Sequence, residues 1–525
     1  MTGRAEIAAG RLAAVSSVAT AIALFVGFHL LGLGLALRVR AAADLPPRFL
    51  GLLITASTAL LSYGAFWAAV MTPSIRLVVV VVTAVSVLAT GAALRAGQAR
   101  AAMRATSAWL PPLLAGVLAA VYLWPVLAAG PAINDRLTWT LPPDNILPGL
   151  FAHRVLTTVG PERTAPLLAA GSDHATERPP LQAAVVVTIG SMVRGSAHEY
   201  TILAALCQAQ WLPALWLVGA TIGLPRRTLA VVLVACAVSG FFFINTIYTW
   251  PKLFAAALML GALAVALEPR AAAPRAATAR ALAAAALCAL SLLAHPGPLF
   301  SLVAVLFLWP LVRPVIGLRP TLPAAVGAAA VAIALFVPWL AYQAFIDPPS
   351  GRLLREHLGD GRTDGSVAGA IVRANIERPL GEHVRVRAGN LAMQVGNPLV
   401  ALRPRSIASG QREQFFHHGA ALGVLLVGLA LALLPPRPGT PDDVVRRLAI
   451  IAVVALVSWA LLVFGPGQSV IHHGSPVTTV LLFFAGACGL TRLPAPIAWT
   501  LLAAHAAAGF YIWFLPVWRG PWVAG

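Results

Sequence analysis

About fourteen runs of roughly twenty apolar residues follow one another along this chain, and no other feature restricts its fold as much. In hydrocarbon, every backbone N–H and C=O must find its partner within the segment or within a closed barrel, so a run of this length reads as a spanning helix. The runs lie near 12–37, 49–71, 75–94 and 107–129, then 200–222, 228–247, 251–268, 280–294, 296–312 and 321–345, and finally 416–434, 448–464, 476–490 and 495–515. With 59% hydrophobic and 10% charged residues, both a water-soluble globule and a disordered chain are excluded. The predicted fold class is an all-α, polytopic membrane protein. The first run is too long for a removable signal peptide and lacks a small-residue cleavage site, so it is expected to be a span.

Alternate short connections carry the cationic residues: Arg38, Arg40 and Arg48; Arg95, Arg100 and Arg104; Arg226 and Arg227; Arg270, Arg275 and Arg280; Arg313 and Arg319; Arg437, Arg446 and Arg447; Arg492. The positive-inside rule places these on the cytoplasmic side, and it therefore places two long polar intervals, about 130–199 and 346–415, on the extracytoplasmic side. The chain then divides into N-terminal helices over 1–106, a core over 107–345 that includes the first outer loop, the second outer loop over 346–415, and C-terminal helices over 416–525. The formal charge of +19 belongs to this topology, and no nucleic-acid partner is expected. Cys207, Cys236, Cys288 and Cys488 all lie inside apolar runs without a CxxC pair, which argues against a disulfide framework or a zinc site.

The first outer loop holds Asn134-Asp135-Arg136, then Pro142-Pro143-Asp144-Asn145-Ile146-Leu147-Pro148, and later Arg178-Pro179-Pro180-Leu181-Gln182. The prolines set Asp144 at a helix start, where free amide groups favour a carboxylate; helix capping is the structural alternative. The apolar stretch 181–193 is too short to span and is expected to be a short interfacial helix.

This order resembles the GT-C superfamily of lipid-phosphate-sugar-dependent glycosyltransferases, in particular the branch of protein O-mannosyltransferases and aminoarabinose transferases. Asp144-Asn145 with Leu150-Phe151-Ala152 is similar to that family's acidic motif and its helix, and Arg178-Pro179-Pro180-Leu181 to its Pro-Pro-Leu stretch. The resemblance covers roughly 107–312. Asn145 stands where the family carries a second acidic residue, and three spans precede the helix that usually comes first, as in a distinct subfamily. The resemblance implies a GT-C-like fold with interfacial helices in the first outer loop. It also implies a polyprenyl-phosphate sugar as donor, a cell-envelope glycan, lipid or protein as extracytoplasmic acceptor, and a multi-pass place in the bacterial inner membrane. No cofactor is expected, and no divalent metal is indicated.

Such a transfer needs a base for the acceptor hydroxyl and a cation for the departing phosphate. Asp144 is the candidate base, with Asp135 as runner-up. Lys252, the sole lysine of the chain, follows Trp250-Pro251 at the outer start of a run, at the depth of a lipid phosphate. A snorkelling lysine beside an interfacial Trp is the bland alternative. His295, His472, His473 and Arg178 are candidate contacts for donor phosphate or sugar. A transporter or flippase would instead place ionisable residues at mid-membrane, and a lipid-linked glycan polymerase or ligase would lack the pairing of Asp144 with Pro-Pro-Leu.

Overall fold

The computed structural model describes residues 2–72, 74–95, 97–129, 145, 147–157, 178–191, 199–271, 273–346, 351–359, 366–396, 406–463 and 476–519. Within them the chain is helical throughout, without a strand. Nine helices among the described residues are long and apolar enough to cross a membrane, from Ala19–Ala42 to Ala495–Val517, and a tenth span is formed if Arg226–Ala237 and Gly240–Ile247 count as one. The protein is an all-α polytopic membrane protein.

The remaining expected runs fold as shorter pieces, with local causes. The stretch 296–312 becomes Leu299–Phe307 and Trp309–Val312, restarted at Pro310, whose missing N–H suits only a helix's first turn. The stretch 416–434 becomes His418–Leu422 and Leu425–Leu433, parted by Gly423 at φ +52°, a backbone state that favours glycine. In the tenth span the chain turns by 59°. The Ser239 hydroxyl accepts from Phe241 N–H to start the second half, and the Ala237 carbonyl at the end of the first half receives the Tyr122 hydroxyl. A break inside a membrane is tolerated where neighbouring side chains take over the freed backbone groups in this way.

One end of the bundle is built from the arginine-bearing connections. Arg48 pairs with Glu268 at 2.6 Å, and Arg280 donates to the carbonyls of Ala43, Asp44 and Pro269 at 2.5–2.8 Å. Arg447 bonds the Leu311 carbonyl and Asp443, while Arg492 reaches the Leu431 carbonyl and Asp442. Connections far apart in sequence but alike in charge thus share one end of the fold. Helix Lys252–Leu267 leads away from this end, so Lys252 lies about 24 Å from Glu268 along a 16-residue helix.

The centre is occupied by helices too short to be ordinary spans. Every residue of Leu181–Gly190 and of Pro476–Leu490 is buried. The expected short helix after the Pro-Pro-Leu stretch is therefore present, but it is enclosed by Pro47–Met71, Leu147–Thr157 and Glu199–Ala209. At the periphery, Ile75–Leu94 and Leu322–Phe345 expose Leu77, Val80, Leu88, Leu322 and Ile333, which lipid solvates without penalty. All four cysteines are free, three of them buried.

Helices Leu425–Leu433 and Pro476–Leu490 meet backbone to backbone at three glycines. A Cβ on Gly489 would overlap the Gly428 carbonyl and approach Ala432 N at 3.0 Å, and one on Gly486 would meet the Leu425 carbonyl at 2.8 Å. Small residues at such crossings let dispersion replace the missing hydrophobic force. Gly489→Ala is expected to destabilise the protein by ~1–3 kcal/mol through overpacking. Gly64→Ala, at a helical site with no atom within 4 Å of the new methyl, is expected to be neutral or stabilising. Thermal unfolding in lipid nanodiscs measures both.

The alternation of arginine among the short connections also predicts an accessibility pattern. Gly381→Cys, exposed on helix Leu380–Val395, is expected to react with an impermeant maleimide on intact cells. Pro438→Cys, exposed between the arginines of the other end, is expected to react only after permeabilisation. The reverse pattern would invert the topology.

Candidate functional site

Thr249 precedes Trp250-Pro251-Lys252 with φ +59°, a left-handed conformation that is strained for a β-branched residue by about 1–3 kcal/mol. This corner turns the chain from helix Gly240–Ile247 into helix Lys252–Leu267. Lys252 is only 1% exposed, so it does not snorkel to the surface. Its Nζ sits 3.7 Å from the Trp250 ring centroid and 5.7 Å from that of Phe415. Desolvated contacts of this kind stabilise an ammonium by about 2 kcal/mol. A cation in the first turn of a helix nevertheless opposes the helix dipole. An anion brought to this point would be favoured by the ammonium and by the dipole together.

A relay of buried amides holds the corner. Gln208 Oε1 accepts from Phe254 N–H, a first-turn donor that has no partner in its own helix, at 3.0 Å. Gln208 Nε2 donates to Gln182 Oε1 at 2.6 Å, and Gln182 Nε2 donates to the Thr249 carbonyl at 2.7 Å and to the Tyr200 hydroxyl at 3.3 Å. The Tyr200 hydroxyl in turn donates to the Asn145 carbonyl at 2.8 Å. The Pro-Pro-Leu stretch thus delivers Gln182, and Asn145 of the first loop is tied to the corner that carries Lys252. Gly149 allows the approach: a Cβ there would lie 3.1 Å from three atoms of the Tyr200 ring. Asn145 itself is 1% exposed, and neither its Oδ1 nor its Nδ2 has a hydrogen-bond partner.

His295 closes another side. Its Nδ1 accepts from Gly297 N–H at 3.0 Å, which orients the ring at the end of helix Pro274–Ala294, and the ring lies 6.3 Å from that of Trp250. Phe415, at the end of helix Ile407–Phe416, meets the Tyr248 ring edge-on at 5.5 Å, so the second outer interval contributes to the same corner. Of the expected site residues, the fold brings Lys252 and His295 together around Trp250. Arg178 is half-buried at the start of the described stretch 178–191. Asp135, Asp144, His472 and His473 lie outside the described residues. Among the described residues no cluster of His, Cys, Asp and Glu could hold a metal ion.

Sequence reasoning missed Gln182, Gln208, Tyr200 and Phe415. The glutamines carried a signal, since a polar amide inside an apolar run needs a buried partner. Phe415 carried none: an aromatic residue beside a helix end is unremarkable until the lysine is found beneath it.

No family model and no curated protein matches the chain. Among solved structures it is similar to that of ArnT from Cupriavidus metallidurans bound to undecaprenyl phosphate, at 17% identity and a TM-score of 0.42. The match covers 76% of this chain and 62% of that one, so the chain spans less than two thirds of the length of that protein. A likeness at this level assigns the chain no family, substrate or residue role.

Proposed function

We propose that the protein is an integral-membrane glycosyltransferase of GT-C type that moves a sugar from a polyprenyl phosphate to an acceptor on the extracytoplasmic face. The observation that carries this reading is the burial of the only lysine at a helix start, under two aromatic rings, in hydrogen-bonded register with the residue that follows Asp144. A buried cation at the start of an apolar helix suits a phosphate that arrives on a lipid.

In the proposed reaction the acceptor oxygen attacks the anomeric carbon as the bond from that carbon to the phosphate oxygen breaks. Asp144 takes the acceptor's proton, with Asp135 as the second candidate. The electron pair leaves on the polyprenyl phosphate, whose growing charge Lys252 holds. No second carboxylate is needed for such a direct displacement. His295 and Arg178, with His472 and His473, are the proposed contacts to donor phosphate or sugar. The acceptor belongs to the cell envelope, and the enzyme to the bacterial inner membrane.

The test is sugar transfer from defined polyprenyl-phosphate donors by purified protein in lipid. Asp144→Asn keeps the shape and a hydrogen-bond acceptor but cannot take a proton, so turnover is expected to fall about 10²–10⁴-fold with donor binding retained. Lys252→Ala is expected to weaken donor binding and turnover together, since the phosphate is charged in the ground state and the transition state alike. Equal turnover by wild type and Asp144→Asn, or transfer from a nucleotide sugar without a lipid donor, would overturn the proposal.

A further inference from the structure

His418 opens the short helix His418–Leu422, three residues after Phe415, and is 2% exposed. Its Nδ1 meets the hydroxyl of Thr479 at 3.1 Å, on the wholly buried helix Pro476–Leu490. Its Nε2 is buried and has no hydrogen-bond partner. Phe415, three residues before it, is the ring that faces Lys252 Nζ at 5.7 Å. The neighbouring His417 is engaged elsewhere, with Nδ1 2.6 Å from the Met393 carbonyl and Nε2 3.8 Å from Glu413. Gly419, the next residue of this helix, lies against helix Leu380–Val395: a Cβ there would overlap the Val395 carbonyl.

A buried imidazole nitrogen without a partner is destabilising. Here the other nitrogen is already engaged, so the ring is held in one orientation with one functional atom to spare. We infer that His418 Nε2–H is a hydrogen-bond donor to the phosphate of the lipid bound at Lys252, with Thr479 as the residue that positions it. An anionic phosphate oxygen accepts and does not donate, so the imidazole must carry its proton on Nε2. Thr479 allows this tautomer by donating its hydroxyl proton to Nδ1, as a freely rotating O–H can. The ligand chemistry needed is a phosphate ester at the outer end of the helix bundle. The inference rests on the donor-binding reading of the Lys252 site.

Asparagine and glutamine separate the two ring nitrogens. In His418→Asn the amide reaches the place of Nδ1 and keeps a partner in Thr479, but leaves the place of Nε2 empty. In His418→Gln the amide nitrogen reaches the place of Nε2. Binding of polyprenyl phosphate, with the neutral polyprenol as the control, is measured on the full chain in nanodiscs, alongside the unfolding midpoint without ligand. His418→Asn is expected to lose roughly 10- to 100-fold in affinity for polyprenyl phosphate, the worth of a hydrogen bond to a charged group, with polyprenol binding and the midpoint unchanged. His418→Gln is expected to stay within a few-fold of wild type. If neither variant folds, Thr479→Val decides, since it leaves the imidazole in place: weaker phosphate binding supports the inference and unchanged binding overturns it. Should folded His418→Asn bind polyprenyl phosphate as wild type does, this inference falls and the donor reading stands. Failure of the wild type to distinguish polyprenyl phosphate from polyprenol would bring down both.

Discussion

Gln182 and Gln208 satisfy each other and, through the Thr249 carbonyl and the Phe254 N–H, the two backbone groups left over where one helix ends and the next begins. In water such groups would be solvated at little cost. In this interior an unmet amide costs about 1–3 kcal/mol, so the corner that presents Lys252 can exist only where side-chain amides reach it. The same relay continues through Tyr200 to Asn145, so Asn145 is tied by hydrogen bonds to the turn that precedes Lys252. Strain at Thr249 and burial of a cation at a helix N-terminus are both tolerated because this network over-determines the local conformation.

Arginine serves free helix-end carbonyls at both ends of the bundle, and the lysine stands at one. At the arginine-rich end, Arg280, Arg447 and Arg492 spend their donors on carbonyls left free at helix ends, and Arg48 and Arg447 add carboxylates. Those cations are structural, each binding together connections remote in sequence. At the other end Arg387 donates to the Val463 carbonyl, and the one lysine is packed against the aromatic faces of Trp250 and Phe415. Arginine's planar fork suits the first task, and the compact lysine head suits a point of phosphate contact.

The spans and their common polarity were legible because hydrocarbon imposes one rule on every residue: long apolar runs and arginine alternation repeat along the chain, and each repeat reinforces the others. The positions where the reading went astray are breaks. Pro310 and Gly423 interrupt runs that look continuous by hydropathy, and Ser239-Gly240 turns a span by 59°. Stretch 181–193 looked too short to span, and Leu181–Gly190 is indeed a short helix, but length says nothing about the neighbours that bury every residue of it. At the candidate site, Lys252 and His295 stood out by type and position, whereas Gln182, Gln208 and Phe415 did not.

By itself the sequence determined the class of fold and the common end of the arginine connections. These follow from local quantities, hydropathy and charge, that hydrocarbon reads one segment at a time. Only the tertiary structure decided that Trp250 would lie between Lys252 and His295, that Phe415 would come from more than a hundred residues away to cover the ammonium, and that His418 would be fixed by Thr479. Those arrangements depend on which helices become neighbours. In a membrane that choice is made by close backbone approach at residues such as Gly428 and Gly489 and by buried amides finding one another, and neither leaves a periodic trace in the chain.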